Sequence, residues 1–127
     1  MNVVDSSGWL EYFADAPNAN FFAPAIENPI QLIVPAIGIY EVFKRVHVER
    51  GEHDALKAIA QMLLGQVVAL DSPLALRAAK ISIELRLPMA DSLILATARA
   101  FSATLWTQDQ DFKKIEGVRY IAKQQAR

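Results

Sequence analysis

The chain contains no cysteine. Disulfides, thiolate zinc sites and a cysteine nucleophile are therefore excluded, and the composition suits a reducing compartment. Long apolar runs are also missing. The longest stretches without Asp, Glu, Lys or Arg are 28–40 and 58–70, at 13 residues each. A membrane-spanning helix needs ~20 apolar residues, so none is expected. No Lys or Arg precedes Lys44, so the basic start of a secretory or transit peptide is absent and a cytoplasmic protein is expected. Only two histidines occur, and His47 and His53 are six apart, not the i, i+4 spacing of a helical zinc pair. With five glycines in all, the chain carries no G-x-S-x-G, G-x-G-x-x-G or P-loop motif.

What is present is apolar and evenly balanced in charge. Of 127 residues 53% are hydrophobic and 21% charged, enough for one domain, 1–127, with a sizeable core. Fourteen acids face 13 Lys and Arg, a near-neutral total that argues at first against a nucleic-acid partner. The distribution is uneven. Residues 1–43 hold five acids and no base, whereas 44–127 hold nine acids and all 13 bases.

Short apolar runs alternate with longer helical patterns. Val3-Val4, Ile30–Val34, Gln66–Leu70, Ala103–Trp106 and Val118–Ile121 read as strands. Ser6-Ser7 are helix-cap candidates before Trp9, Leu10 and Phe13. Further helices are expected over Asn18–Ile26, 36–50, Asp54–Leu64, Pro73–Leu85 and Met89–Phe101. In the 36–50 helix, Ala36, Ile39, Tyr40, Phe43 and Val46 share a face, with Glu41 roughly opposite. Gly51 stops that helix. Crossovers over ten residues long imply parallel strands. The expected fold class is α/β, a three-layer α/β/α domain around a parallel sheet of about five strands.

In open parallel sheets, ligands bind beyond the carboxyl ends of the strands. Asp5 directly follows Val3-Val4, and Asp109 follows Ala103–Trp106, so both belong at that edge. Glu41 lies in the helix leaving the second strand. Asp91 sits in the first turn of a helix otherwise lined with apolar residues. Each acid alone has an ordinary role open to it: cap, turn residue, helix-dipole partner or solvated surface charge. Together they fit less well, because buried charge must be paired and no base lies within four residues of Asp5 or Asp91. Clustered carboxylates call for a divalent cation, and oxygen donors suit Mg²⁺ or Mn²⁺. Such sites promote in-line displacement at phosphorus.

Four blocks carry a specific resemblance: V-V-D-S-S-G-W-L-E-Y-F at 3–13, I-Y-E-V-F-K-R at 39–45, L-P-M-A-D-S-L-I-L-A-T-A at 87–98 and L-W-T-Q-D-Q-D-F at 105–112. In order and spacing they resemble the PIN domain, and within it the VapC ribonuclease toxins of type II toxin–antitoxin systems. The similarity extends through V-R-Y-I-A-K at 118–123. It implies that Asp5, Glu41, Asp91 and Asp109 bind a catalytic Mg²⁺, for which Mn²⁺ can substitute, with Asp5, Asp91 and Asp109 as its principal ligands. Glu41 serves as a ligand through water or orients the attacking water. Ser6 and Thr107 support the site, and Asp111 is a further ligand or neighbouring acid. Gln108 stands where relatives often carry a base, which leaves substrate contact at that position open. The resemblance also implies endoribonuclease activity on tRNA, rRNA or mRNA, growth arrest, a homodimer, and inhibition by a VapB-type antitoxin.

Lys44, Arg45 and Arg50, on and just beyond the Glu41 helix, are candidate RNA phosphate contacts, against the alternative of a solvated face. Other classes fit poorly. A haloacid-dehalogenase-type phosphatase needs an acid two residues after the first Asp, where Ser7 stands. A response-regulator receiver needs an acidic pair near Asp5 that is absent. A silent PIN-like module that binds RNA or a partner without cutting is the remaining alternative. Retention of all four acids weighs against it.

Overall fold

The computed structural model describes residues 1–125 of the chain. In chain order these form β1 (Asn2–Val4), α1 (Ser6–Phe13), α2 (Ala19–Ile26), β2 (Leu32–Pro35), α3 (Ala36–Arg50), α4 (Glu52–Met62), β3 (Gln66–Val68), α5 (Ser72–Leu85), α6 (Met89–Ala100), β4 (Thr104–Thr107) and β5 (Val118–Tyr120). Short 3₁₀ turns lie at Pro29–Gln31 and Gln110–Phe112. The strands make one sheet in the order β3-β2-β1-β4-β5, and every pairing is parallel. This is the α/β/α arrangement that the alternation of short apolar runs and helices predicts. No helix among the described residues is long and apolar enough to cross a membrane.

Strand periodicity sorts the core. Successive side chains point to opposite faces, so Val3, Ile33 and Leu105 join α5, α6 and Phe112 on one side. Val4, Leu32, Val34 and Trp106 join α1 to α4 on the other. Trp9 and Trp106 are both buried there, consistent with core rather than stacking roles. From β1 the chain runs outward to β2 and β3, then crosses to β4 and β5 on the opposite side of β1. The strand order therefore reverses between β1 and β4, where the crevice of such sheets opens.

Several details depart from the sequence reading. Asp5, not Ser6 or Ser7, caps α1, its carboxylate accepting from the Gly8 amide. Ile30 lies outside β2, in the 3₁₀ turn, and β3 ends at Val68. α4 begins at Glu52, two residues before the expected start at Asp54, and so takes in His53; both histidines are exposed. The largest difference is the rotation of α3. Its buried stripe runs through Gly38, Val42 and Val46, while Tyr40 is 59% exposed. Gly38 lies in this stripe and faces α4, where a Cβ would stand 4.0 Å from the Met62 methyl, an ordinary van der Waals separation. With the buried stripe running along Gly38, Val42 and Val46, Tyr40 faces outward and Glu41 is half-buried beside it.

Candidate metal centre

The site begins where β1 stops. The Asp5 backbone N–H still donates to the Trp106 carbonyl at 3.1 Å, continuing the ladder. The next residue enters α1, so the Asp5 side chain emerges at the carboxyl edge, buried to 3% exposure. Its Oδ1 accepts from the Gly8 amide at 2.9 Å and the Ser7 hydroxyl at 2.8 Å. Its Oδ2 accepts from the fully buried Thr107 hydroxyl at 2.5 Å. Three donors favour the charged form, yet burial outweighs them, and with the charge of Asp109 nearby the carboxyl is raised to about 6.

Thr107 links two acids. While donating to Asp5, its hydroxyl oxygen accepts from the Asp109 amide at 2.9 Å. Asp109 then caps the 3₁₀ turn, its Oδ1 accepting from the Asp111 amide at 2.9 Å. These short-range bonds set Asp109 and Asp111 on one loop just past β4. Asp91 reaches the same place from the first turn of α6. Carboxylate oxygens of Asp91, Asp109 and Asp111 lie within 4.8 Å of one another. The Asp91 carboxyl is raised to about 7, first by burial and then by Asp109, Asp5, Asp111 and Glu41 in that order. One group thus feels the charge of the four others. Glu41 joins from α3, where its Oε1 accepts from the Ser6 hydroxyl at 2.5 Å.

The structure therefore brings carboxylate oxygens of Asp91, Asp109 and Asp111 together, with Asp5 and Glu41 near enough to act on the charge of Asp91, and with Thr107 bonded to Asp5 and Ser6 to Glu41. Among the described residues, none of these acids is in a salt bridge; the ion pair formed is Arg45–Glu49 on the outside of α3. Same-sign charges so close, without a base, are a donor set for a cation.

The three basic candidates separate. Lys44 lies with Tyr40 on a different, largely apolar surface, its Nζ 5.7 Å from the ring centroid. Arg45 and Arg50 instead line a cleft that begins at Ser7 and Gln108. Arg50 also donates to the Phe13 carbonyl at 3.4 Å. Gln108 points inward at 5% exposure. Its Nε2 donates to Glu11 at 3.1 Å and its Oε1 accepts from Asn18 at 3.0 Å. It is thus a structural link between β4 and α1 and not an outward substrate contact. Ser7, read from its place beside the first Asp as a cap or supporting residue, is bonded to Asp5. One contributor escapes the sequence reading. Glu11 is buried with Gln108 and Asn18, partners 97 and 7 residues away, and no local pattern marks it.

A family model described as "PIN domain" matches residues 3–118. No curated protein sequence matches the chain. Solved structures do. A toxin-antitoxin complex from Klebsiella pneumoniae superposes with a TM-score of 0.78 at 22% identity, covering 94% of this chain and 96% of that one. VapC20 of Mycobacterium tuberculosis, described as a Sarcin-Ricin loop cleaving toxin, gives 0.76 at 18% identity over 91% and 95%. VapBC2 from Rickettsia felis, bound to a DNA fragment from its promoter, gives 0.72 at 16% identity over 95% and 97%.

Proposed function

This chain belongs to the PIN domain family, and on that footing we propose that it is a Mg²⁺-dependent endoribonuclease, the toxin of a type II toxin–antitoxin pair. The observation that carries this reading is the convergence of five carboxylates from β1, α3, α6 and the loop after β4, with no base paired to any of them among the described residues. Buried like charges are strongly unfavourable unless something offsets them. The donors are carboxylate oxygens throughout, which fits Mg²⁺ and, as a substitute, Mn²⁺.

Asp5, Asp91 and Asp109 would hold the ion, with Asp111 beside them. When bound, it supplies charge stabilisation at the phosphodiester and at the leaving oxygen. The protein's own groups do the rest. Thr107 and Ser7 fix both oxygens of Asp5, so that this carboxylate presents one orientation. Ser6 occupies Oε1 of Glu41, leaving Oε2 to orient the attacking water and accept its proton. The description of the M. tuberculosis neighbour as a toxin cleaving the Sarcin-Ricin loop supports RNA as substrate. The toxin-antitoxin and VapBC neighbours support a VapB-type antitoxin partner; a homodimer, and growth arrest when the antitoxin is lost, belong to the same reading through the resemblance of the sequence blocks.

Incubation of the purified protein with end-labelled RNA tests this. Cutting is expected with Mg²⁺ or Mn²⁺ and not with chelator. Asp5→Asn and Asp91→Asn are each expected to slow it by on the order of 100-fold or more, ~3 kcal/mol of lost transition-state stabilisation. Cutting that survives chelation and both substitutions would refute the metal-nuclease reading, and binding without cutting would favour a silent module.

A further inference from the structure

Beside the acid cluster, and not part of it, a cleft of about 270 Å³ opens between α1, α3 and the segment after β5. It adjoins the acid cluster through Ser7, which is bonded to Asp5, and Gln108, which lies between Thr107 and Asp109 in the chain. Three cations line it: Arg45, Arg50 and Lys123. Arg45 is four residues beyond Glu41 on α3, one helical turn of about 5.4 Å along the same face. Two acids also border the cleft. Glu11 is already engaged by Gln108 and by the Asn18 amide, and Glu49 is paired with Arg45. Phe13 contributes an aromatic ring, half-buried and stacked on Trp9 with centroids 5.6 Å apart.

Cations tracking a groove beside an aromatic platform are what a single-stranded polyanion requires: phosphates pair with the charges while a base stacks on the ring. The volume lies below the ~300–1,000 Å³ of enclosed small-molecule pockets, which suits a strand passing across it.

We propose that this cleft binds the single-stranded RNA flanking the scissile phosphodiester, with its phosphates on Arg45, Arg50 and Lys123 and a base on Phe13. The proposal rests on the nuclease reading for its substrate but assigns residues outside the acid cluster. Lys44 has no part in it, because it lies on the Tyr40 surface.

Affinity for a short 5′-labelled single-stranded RNA, measured by anisotropy against salt in Mg²⁺, tests the assignment. An Asp91→Asn background keeps the strand uncut. Arg50→Ala and Lys123→Ala should each weaken binding about threefold to tenfold and lower the log–log salt slope by about 0.7, one phosphate contact apiece. Glu49→Gln should free Arg45 and tighten binding. Lys44→Ala should change neither quantity, and inorganic phosphate at equal phosphate concentration should not compete. Unchanged slopes in both Ala variants, an equal loss in Lys44→Ala, competition by inorganic phosphate or tighter binding to duplex would each overturn the proposal. Lys44, Glu49, Arg50 and Lys123 are exposed, and thermal melting checks that the variants fold. Slopes as expected with a wild-type protein that never cuts would leave the cleft standing and remove the nuclease. Cutting with unchanged slopes would do the reverse.

Discussion

Asp5 shows how competing effects resolve at one side chain. Three hydrogen bonds pull its pKa down, but burial wins and holds the carboxyl at about 6, while Asp91 stands at about 7. Both groups bind protons more tightly folded than unfolded, so the stability this contributes is complete below about pH 4. It is lost as pH rises through about 6 for Asp5 and about 7 for Asp91. For Asp5 the difference is worth about 3 kcal/mol. Without metal, the melting temperature should therefore fall between pH 5 and pH 8. In Asp91→Asn the fall should be shallower, and at pH 8 this variant should melt above the wild type. A wild-type curve that is flat or rises over that interval would contradict the origin assigned to the shifts. Mg²⁺ affinity should move the opposite way, rising with pH as fewer protons must be displaced.

Among the elements, α1 ties site to core most tightly. A Cβ at Gly8 would stand 2.6 Å from the Phe22 ring and 2.7 Å from a Val4 methyl, so the start of α1 sits on β1 and α2 only because position 8 has no side chain. Gly8→Ala should cost about 1–3 kcal/mol through overpacking and disturb the amide that Asp5 accepts. Chemical denaturation with a cutting assay would register both losses. Asp71→Ala is the matching control. It removes the cap bond to the Leu74 amide of α5, should cost ~1 kcal/mol, and should leave cutting unchanged. Element by element, what the sequence makes legible is what local pattern encodes. Asp5 and Asp109 are placed by strands that end just before them, and Asp91 by Pro88 and the first turn it opens. The outward turn of Tyr40 is not legible, because helical periodicity counts it as apolar and gives no weight to Gly38, whereas the buried stripe runs through Gly38, Val42 and Val46. The inward turn of Gln108 is hidden for another reason: its partners Glu11 and Asn18 lie 97 and 90 residues away.

For the whole molecule, the near-neutral charge first reads as evidence against a polyanionic partner. Setting aside Asp5, Glu41, Asp91, Asp109 and Asp111 leaves 14 − 5 = 9 acids against 13 Lys and Arg, a net of +4 outside the acid cluster. The parallel sheet explains how both signs coexist. It gathers acids from distant parts of the chain at one edge, beyond β1 and β4, while bases on α3 and after β5 flank that edge. Whether the gathered acids hold a cation is open to one direct measurement. Mn²⁺ is titrated calorimetrically into the metal-free protein at pH 6.5, in buffers of differing ionisation enthalpy. The expected result is saturable binding that releases on the order of one proton, drawn from Asp5 and Asp91, and that is lost in Asp91→Asn. Absence of saturable binding, or equal binding without proton release in wild type and Asp91→Asn, would contradict the metal centre.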